Sequence, residues 1–231
     1  MLSEQVLQRR RWRNKLYDKL LTQSILRVLP SYIEKGRLTI DVGGNSGYQT
    51  YFHSTYNDVV TYEPVPELFE VLQSNLSDVK NATLINKAVT DSNKDVVLHV
   101  DINRLSMTSQ MPLVESEAIT VPGVALDNEG HENVGFIKVD VEGYELDVLD
   151  GAVNLIDRDR PTMMVEVYQP WCDKVGFDCE QIFDFFDSRD YQILYYDSKN
   201  TDMVECSVAE AAEAVHNLHH LHDGDFLFMA K

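Results

Sequence analysis

TIDVGGNSGYQTYF, residues 39–52, decides how the chain is read. Thr39, Ile40 and Val42 give this stretch the β-branched content of a buried strand, and a helical pattern resumes at Ser46 or Gly47. Only a few residues join the two, so the backbone must turn sharply. Gly43, Gly44 and Gly47 accept positive φ without a Cβ penalty, and Asn45 is one of the few other residue types that tolerates it. Such a loop presents bare backbone above the carboxyl end of a strand, where open α/β sheets bind ligands.

Outward from this loop, apolar bursts alternate with helical patterns. Residues 37–42, 58–62, 82–89, 134–140, 161–168 and 191–197 read as strands, and 47–56, 65–76, 143–156, 178–188 and 207–219 as helices. DFLFMAK at 225–231 reads as a closing strand. The pattern predicts an α/β fold, a mostly parallel sheet covered by helices. KDVVLHV (94–100) and EAITVPGVAL (117–126) are strand-like without an intervening helix, and a long polar connection, residues 101–116, lies between them. Ahead of the domain, Leu2, Val6, Leu7, Leu16, Leu20, Leu21, Ile25, Leu26 and Leu29 recur at roughly helical spacing, which predicts one or two amphipathic helices over 3–29. The expected organisation is an N-terminal helical extension (1–36), a possible lid, followed by one domain (37–231).

Composition bounds the function. A chain of 231 residues that is 44% hydrophobic and 25% charged can bury one sizeable core. No run approaches the ~20 apolar residues of a membrane-spanning helix, and no compact apolar leader opens the chain, so a cytoplasmic protein without an integral membrane segment is expected. Cys172, Cys179 and Cys206 have neither disulfide-framework nor zinc-knuckle spacing and are expected to be reduced and structural. Residues 1–37 hold nine Lys/Arg against three acids, a net of +6, which leaves −24 of the total −18 on the rest. A body so acidic repels phosphate polymers and argues against nucleic-acid binding. The run RRRWRNK (9–15) reads as a basic helix against its own acidic body, with contact to an anionic lipid or RNA as the alternative.

The glycine spacing narrows the ligand. G-x-x-x-G with Asn45 inside departs from the dinucleotide fingerprint, and no phosphate-loop G-x-x-x-x-G-K-[ST] is present. Glu63 stands at the end of the next predicted strand, 22 residues after Asp41, where a carboxylate can accept hydrogen bonds from both hydroxyls of a ribose. The bland alternative for Glu63 is an acid at the start of the following helix, favourable to its dipole. Together the loop and the acid indicate a nucleoside ligand without a pyrophosphate. S-adenosylmethionine meets that description, and its sulfonium suits an acidic site.

TIDVGGNSGYQT, VVTYEPVPELFEVLQSN, ATLINKAV, ITVPGVALDN, VGFIKVDVEGYELDVLDGA and RPTMMVEVYQP, in that order, resemble the sequence blocks of FkbM-type methyltransferases, over about residues 37–231. The resemblance implies a class I methyltransferase (Rossmann-like) sheet with its last strand antiparallel. It also implies methyl transfer from S-adenosylmethionine to a hydroxyl oxygen of a sugar or other small metabolite. Two rivals stand beside that reading: methylation of a carboxyl or protein side chain, and a non-catalytic nucleoside-binding module.

Asp140, Glu142 and Glu166 are the candidate catalytic carboxylates, because a hydroxyl becomes a competent nucleophile only as a base takes its proton. Asp41, Gly43, Gly44, Asn45, Gly47, Tyr48, Glu63, Asn86, Ala88 and Asp140 are the candidate cofactor contacts, with Tyr48 expected over the methionine part and Asn86 and Ala88 near adenine. Glu145 reads as a cap or a partner of loop amides. No catalytic metal is expected, since VEVY (165–168), after the fifth predicted strand, lacks the Asp-Asn pair that metal-dependent catechol methyltransferases carry there. An Asn-Pro-Pro-aromatic turn is missing too, which speaks against base methylation. His216 and His220 are one helical turn apart and read as a solvated helix end rather than a metal site. His53 reads as a surface helix position, with a catalytic base as the alternative. Met107, Thr108 and Ser109 are candidate lid residues, and Trp12 and Tyr17 are candidates to cover the acceptor pocket.

Overall fold

The computed structural model describes residues 25–101, 108–109, 116–197, 202–217 and 224–231. Most of the expected N-terminal helical extension, with Trp12 and Tyr17, lies outside them, as do Met107 and His220 and the side chains of Thr108 and Ser109. The described part of the extension, Ile25–Arg27 and Leu29–Ser31, forms two 3-10 turns.

In chain order the elements are β1 (Leu38–Val42), α1 (Tyr48–Ser54), β2 (Val59–Tyr62), α2 (Pro66–Asn75), β3 (Ala82–Ile85), β4 (Ala88–Val89), β5 (Asp95–Asp101), β6 (Thr108–Ser109) and β7 (Ser116–Val124). There follow β8 (Val134–Val139), α3 (Glu145–Asp150), α4 (Val153–Asp159), β9 (Thr162–Glu166), α5 (Gln169–Val175), α6 (Glu180–Asp187), β10 (Tyr191–Asp197), β11 (Asp202–Cys206), α7 (Val208–His216) and β12 (Asp225–Ala230). Eight strands form one sheet in the order β11-β10-β12-β9-β8-β1-β2-β3. The run from β9 through β8, β1 and β2 to β3 is parallel, and β12 is antiparallel to both of its neighbours. This is the class I methyltransferase arrangement, with the last strand reversed.

The parallel strands are apolar runs because helices cover both of their faces. All six residues of β8 are buried. Residues alternate between two cores. Ile40, Val42, Ile137, Val139, Met163, Val165, Phe226 and Phe228 meet α3, α4, α6 and α7 on one face. On the other, Phe136, Met164 and Leu227 meet Phe52 of α1 and the segment Ile25–Ile33. Helix α6 sends Ile182, Phe183 and Phe186 inward, and Phe186 stacks on Phe228 with ring centroids 3.8 Å apart. Phe186→Ala is expected to cost about 3–5 kcal/mol, read as a lower denaturation midpoint with an unchanged slope.

Four readings need correction. The predicted strand 82–89 is two strands. β3 belongs to the large sheet, whereas β4 pairs with β7 in a second sheet, β4-β7-β5-β6. Asn86 makes the break, its Nδ2 donating to the carbonyls of Glu63 (2.7 Å) and Pro64 (3.0 Å) and turning the chain away. The predicted helix 143–156 is interrupted at Gly151, which lies so close to the Thr90 carbonyl that a Cβ there would collide with it. Helix α5 and strand β11 were not anticipated. α5 is seven residues long and begins with Pro170 in its first turn, too short for a clear period. The strands expected at 94–100 and 117–126 are β5 and β7, and they pair with each other antiparallel. Among the described residues no helix is long and apolar enough to cross a membrane.

Candidate functional site

β1 has β2 on one side and β8 on the other, so the chain leaves its carboxyl end at the point where strand order reverses. The glycine loop occupies this point. Gly43 and Gly47 have φ of 85° and 87°, and Asn45 has 47°. The amides of Gly43 and Gly44 both donate to Tyr62 O, at 3.0 and 2.9 Å, holding the loop against the end of β2. A Cβ at Gly43 would strike the Asp140 carbonyl, and one at Gly47 would stand 2.7 Å from Leu72 Cδ1 of α2. The turn is therefore closed by neighbours on two sides.

Glu63 is tied into the same turn. Its Oε2 accepts the Asn45 amide at 2.7 Å and its Oε1 the Val65 amide at 2.9 Å, although the side chain is only 4% exposed. Burial pushes this carboxyl up to about 7, against the pull of the two amides and of Lys138. Glu145 is also raised to about 7 by burial, and its Oε1 accepts the amides of Val141 and Gly143, both at 3.2 Å. It ties the loop after β8, as expected. Both groups hold their proton in the folded state more tightly than in the unfolded chain, between pH 4.5 and about 7. The ligand-free protein is therefore expected to lose stability as pH rises across that window, by a few kcal/mol at most. Thermal denaturation at pH 5 and pH 8 checks the sign.

Sequence reasoning passed over Lys138. Parallel register places Thr61, Asp41 and Lys138 in one row across β2, β1 and β8, hence on one face. All three are buried, the lysine 3% exposed. Its ammonium donates to the carbonyls of Gly43 (2.8 Å) and Val42 (3.3 Å) and lies 3.2 Å from Asp140 Oδ2 and 3.5 Å from Asp41 Oδ1. Burial opposes its charge, but Asp140 and Asp41 outweigh burial, and its pKa is raised. Asp41 is pushed upward by complete burial, against Lys138 and the Thr50 hydroxyl that donates to its Oδ2 at 2.7 Å. Lys138 thus pins the glycine loop, the end of β1 and Asp140 together. A lone lysine in the apolar run VGFIKV was the available clue.

The candidate carboxylates gather beside it. Asp140 is about a third exposed and faces the cleft. Glu142 has a φ of 55°, strained for a residue with a side chain, and Gly143 follows at 105°, which glycine takes freely. Glu166 ends β9 opposite Asp225 of β12. Burial raises its carboxyl well above the usual range, and the neighbouring Asp140, Asp225 and Glu145 add to the rise.

The cleft spans about 710 Å³ with its open, solvent-filled mouth included. Of the predicted contacts, Gly43, Asn45, Glu63, Ala88, Asp140 and Glu142 line it. Asp41 lies beneath it, Gly44 and Gly47 shape the loop behind it, and Asn86 orients the chain around Glu63. Tyr48 packs instead with Phe52 and the Ile25–Ile33 segment. His53 is neither on the surface nor at the cleft: it is wholly buried, 4.9 Å from the Phe136 ring, and burial lowers it to about 3. Tyr62, Pro64, Leu68, Lys87, Val89, Leu98, Val141 and Tyr144 also line the cleft. Tyr62 Oη meets His131 Nε2 at 2.6 Å, and Lys87 reaches Glu129 at 3.2 Å, partners distant in sequence.

A family model described as the methyltransferase FkbM domain matches residues 41–193. The hexuronic acid methyltransferase AglP of Haloferax volcanii is 31% identical over 138 residues, 58% of this chain and 57% of AglP. The chain thus spans little more than half the length of that relative. In fold it is similar to the crystal structure of methyltransferase FkbM from Methylobacillus flagellatus KT, with a TM-score of 0.53 and 16% identity over 83% of this chain and 43% of that one. Class I methyltransferases take their methyl group from S-adenosylmethionine. With two thirds of its length matched, from the glycine loop to β10, the chain belongs to the FkbM methyltransferase family.

Proposed function

We propose that the protein transfers a methyl group from S-adenosylmethionine to a hydroxyl of a sugar or similar small acceptor. The observation that carries this reading is the joining of Gly43, Asn45 and Glu63 into one rim of the cleft. Each Glu63 oxygen takes one backbone amide and keeps one lone pair, so the carboxylate can accept two ribose hydroxyls. Asp140 and Glu142, which line the same cleft beside the glycine loop, favour the sulfonium end of the donor.

In the reaction the acceptor oxygen attacks the methyl carbon as the carbon–sulfur bond breaks. The bonding pair leaves with sulfur, giving S-adenosylhomocysteine, and the hydroxyl proton passes to a carboxylate. Asp140 and Glu142 are open to the cleft for that proton; Glu166, more enclosed and protonated near neutrality, supports Asp140 from behind. Alignment of donor and acceptor supplies much of the remaining rate enhancement. Asp140→Asn is expected to lower kcat by ~10²–10⁴-fold while cofactor affinity changes only a few-fold, measured as S-adenosylhomocysteine release.

A second reading, methyl esterification of a uronic acid carboxyl, draws on the name of the Haloferax volcanii relative. The acids lining the rim disfavour an anionic acceptor. Labelled S-adenosylmethionine offered with neutral and uronic oligosaccharides separates the two. An alkali-stable methyl ether supports the hydroxyl reading, an alkali-labile ester the second, and cofactor binding without product from any acceptor supports a non-catalytic module.

A further inference from the structure

On the α6–α7 side of the large sheet, remote in sequence from the glycine loop, three metal-ligating side chains of different kinds converge. Asp178 and Cys179 lie at the start of α6, and His216 is the last residue of α7. A carboxylate oxygen, the thiol sulfur and an imidazole nitrogen lie within 4.8 Å of one another. We propose that Asp178, Cys179 and His216 form a transition-metal site that takes Zn²⁺ and clamps the end of α7 to the start of α6.

The donor set selects the metal. Mg²⁺ and Ca²⁺ take oxygen ligands, whereas a mixed sulfur, nitrogen and oxygen set is typical of Zn²⁺. Ligands at about 2.0–2.3 Å in a tetrahedron lie roughly 3.3–3.7 Å apart, so the three atoms need to close by about 1 Å. Cys179 is buried and fixed, with its amide bonded to Gln169 Oε1 at 3.4 Å. Asp178 and His216 are exposed and can turn toward it without disturbing the core. Asp178 Oδ1 accepts the Glu180 amide at 3.2 Å, and the side chain also meets the Cys179 thiol, whose proton a bound ion displaces. The negative dipole end of α7 and the acids Asp173 and Glu180 near Cys179 favour a cation at this place, against the positive amino end of α6. Water completes the fourth position. The site lies apart from the cleft, since none of its residues lines it, and its role is to hold α7 on the sheet.

The test uses the full chain, freed of any affinity tag and stripped with a chelator, titrated with Co²⁺ as a spectroscopic probe and then Zn²⁺. The expected result is one ion per chain, a thiolate-to-cobalt charge-transfer band, and displacement of that band by Zn²⁺. Zn²⁺ at 100 times its Kd is expected to raise Tm by roughly 5–10 °C. Cys179→Ser abolishes the band, and His216→Ala, at an exposed helix end that leaves folding and methyl transfer intact, weakens Co²⁺ binding at least tenfold. Absence of a thiolate band in the wild-type chain, or wild-type Co²⁺ affinity in both His216→Ala and Asp178→Ala, overturns the site.

Discussion

Glu63→Gln is expected to weaken S-adenosylmethionine binding about 10–100-fold while leaving the fold intact. Glutamine keeps one carbonyl acceptor, but its amide nitrogen faces a backbone N–H, from Asn45 or Val65, where the native carboxylate accepts a bond. It also lacks the charge that strengthens hydrogen bonds to ribose hydroxyls, each charge-assisted bond being worth about 1.5–3 kcal/mol. The pH dependence is a second readout. Burial raises the Glu63 carboxyl to about 7, and only its ionised form accepts two hydroxyls. Affinity for the cofactor in the native protein is therefore expected to rise with pH through about 7 and then level off. In Glu63→Gln that slope disappears. Calorimetric titration at pH 6, 7 and 8 checks both. An unchanged Kd in the variant removes Glu63 from the binding site.

Lys138→Met is expected to cost about 3–5 kcal/mol of stability. Methionine fills the space, yet it leaves Asp41 without its counter-ion in a wholly buried position and strips the Val42 and Gly43 carbonyls of a donor. The additional change Asp41→Asn is expected to restore part of the loss, because an uncompensated buried charge is the larger penalty. A double-mutant cycle by denaturant unfolding measures this coupling. Additive losses would show that the two side chains do not act as a pair.

These two positions illustrate what the sequence made legible. The glycine loop and Glu63 were readable because their meaning is local: a sharp turn after a strand, and an acid at the tip of the next one. The alternating pattern located the main strands along the chain for the same reason. Lys138 was not readable, because its partners Asp41 and Asp140 come together only once β1 and β8 align in register. A lysine inside an apolar strand was visible; its counter-ion was not. His53 was misplaced because helical spacing cannot reveal that α1 is covered on both sides, by the sheet and by the Ile25–Ile33 segment. Tyr62 and Leu98 at the cleft escaped notice since they resemble ordinary core residues of their strands. The meeting of Cys179 with His216 depends on the packing of α6 against α7. These site misses concern tertiary contacts and these successes local backbone requirements, which is the division expected when propensity meets packing.

The cleft between the glycine loop and Glu63 is expected to hold the adenosyl end of S-adenosylmethionine. Crystals of the full chain grown with S-adenosylhomocysteine test it most directly. The product is predicted to lie over Gly43 and Asn45, with both ribose hydroxyls about 2.6–3.2 Å from the Glu63 carboxylate and the sulfur toward Asp140. Product bound elsewhere, or ribose hydroxyls turned away from Glu63, would contradict it.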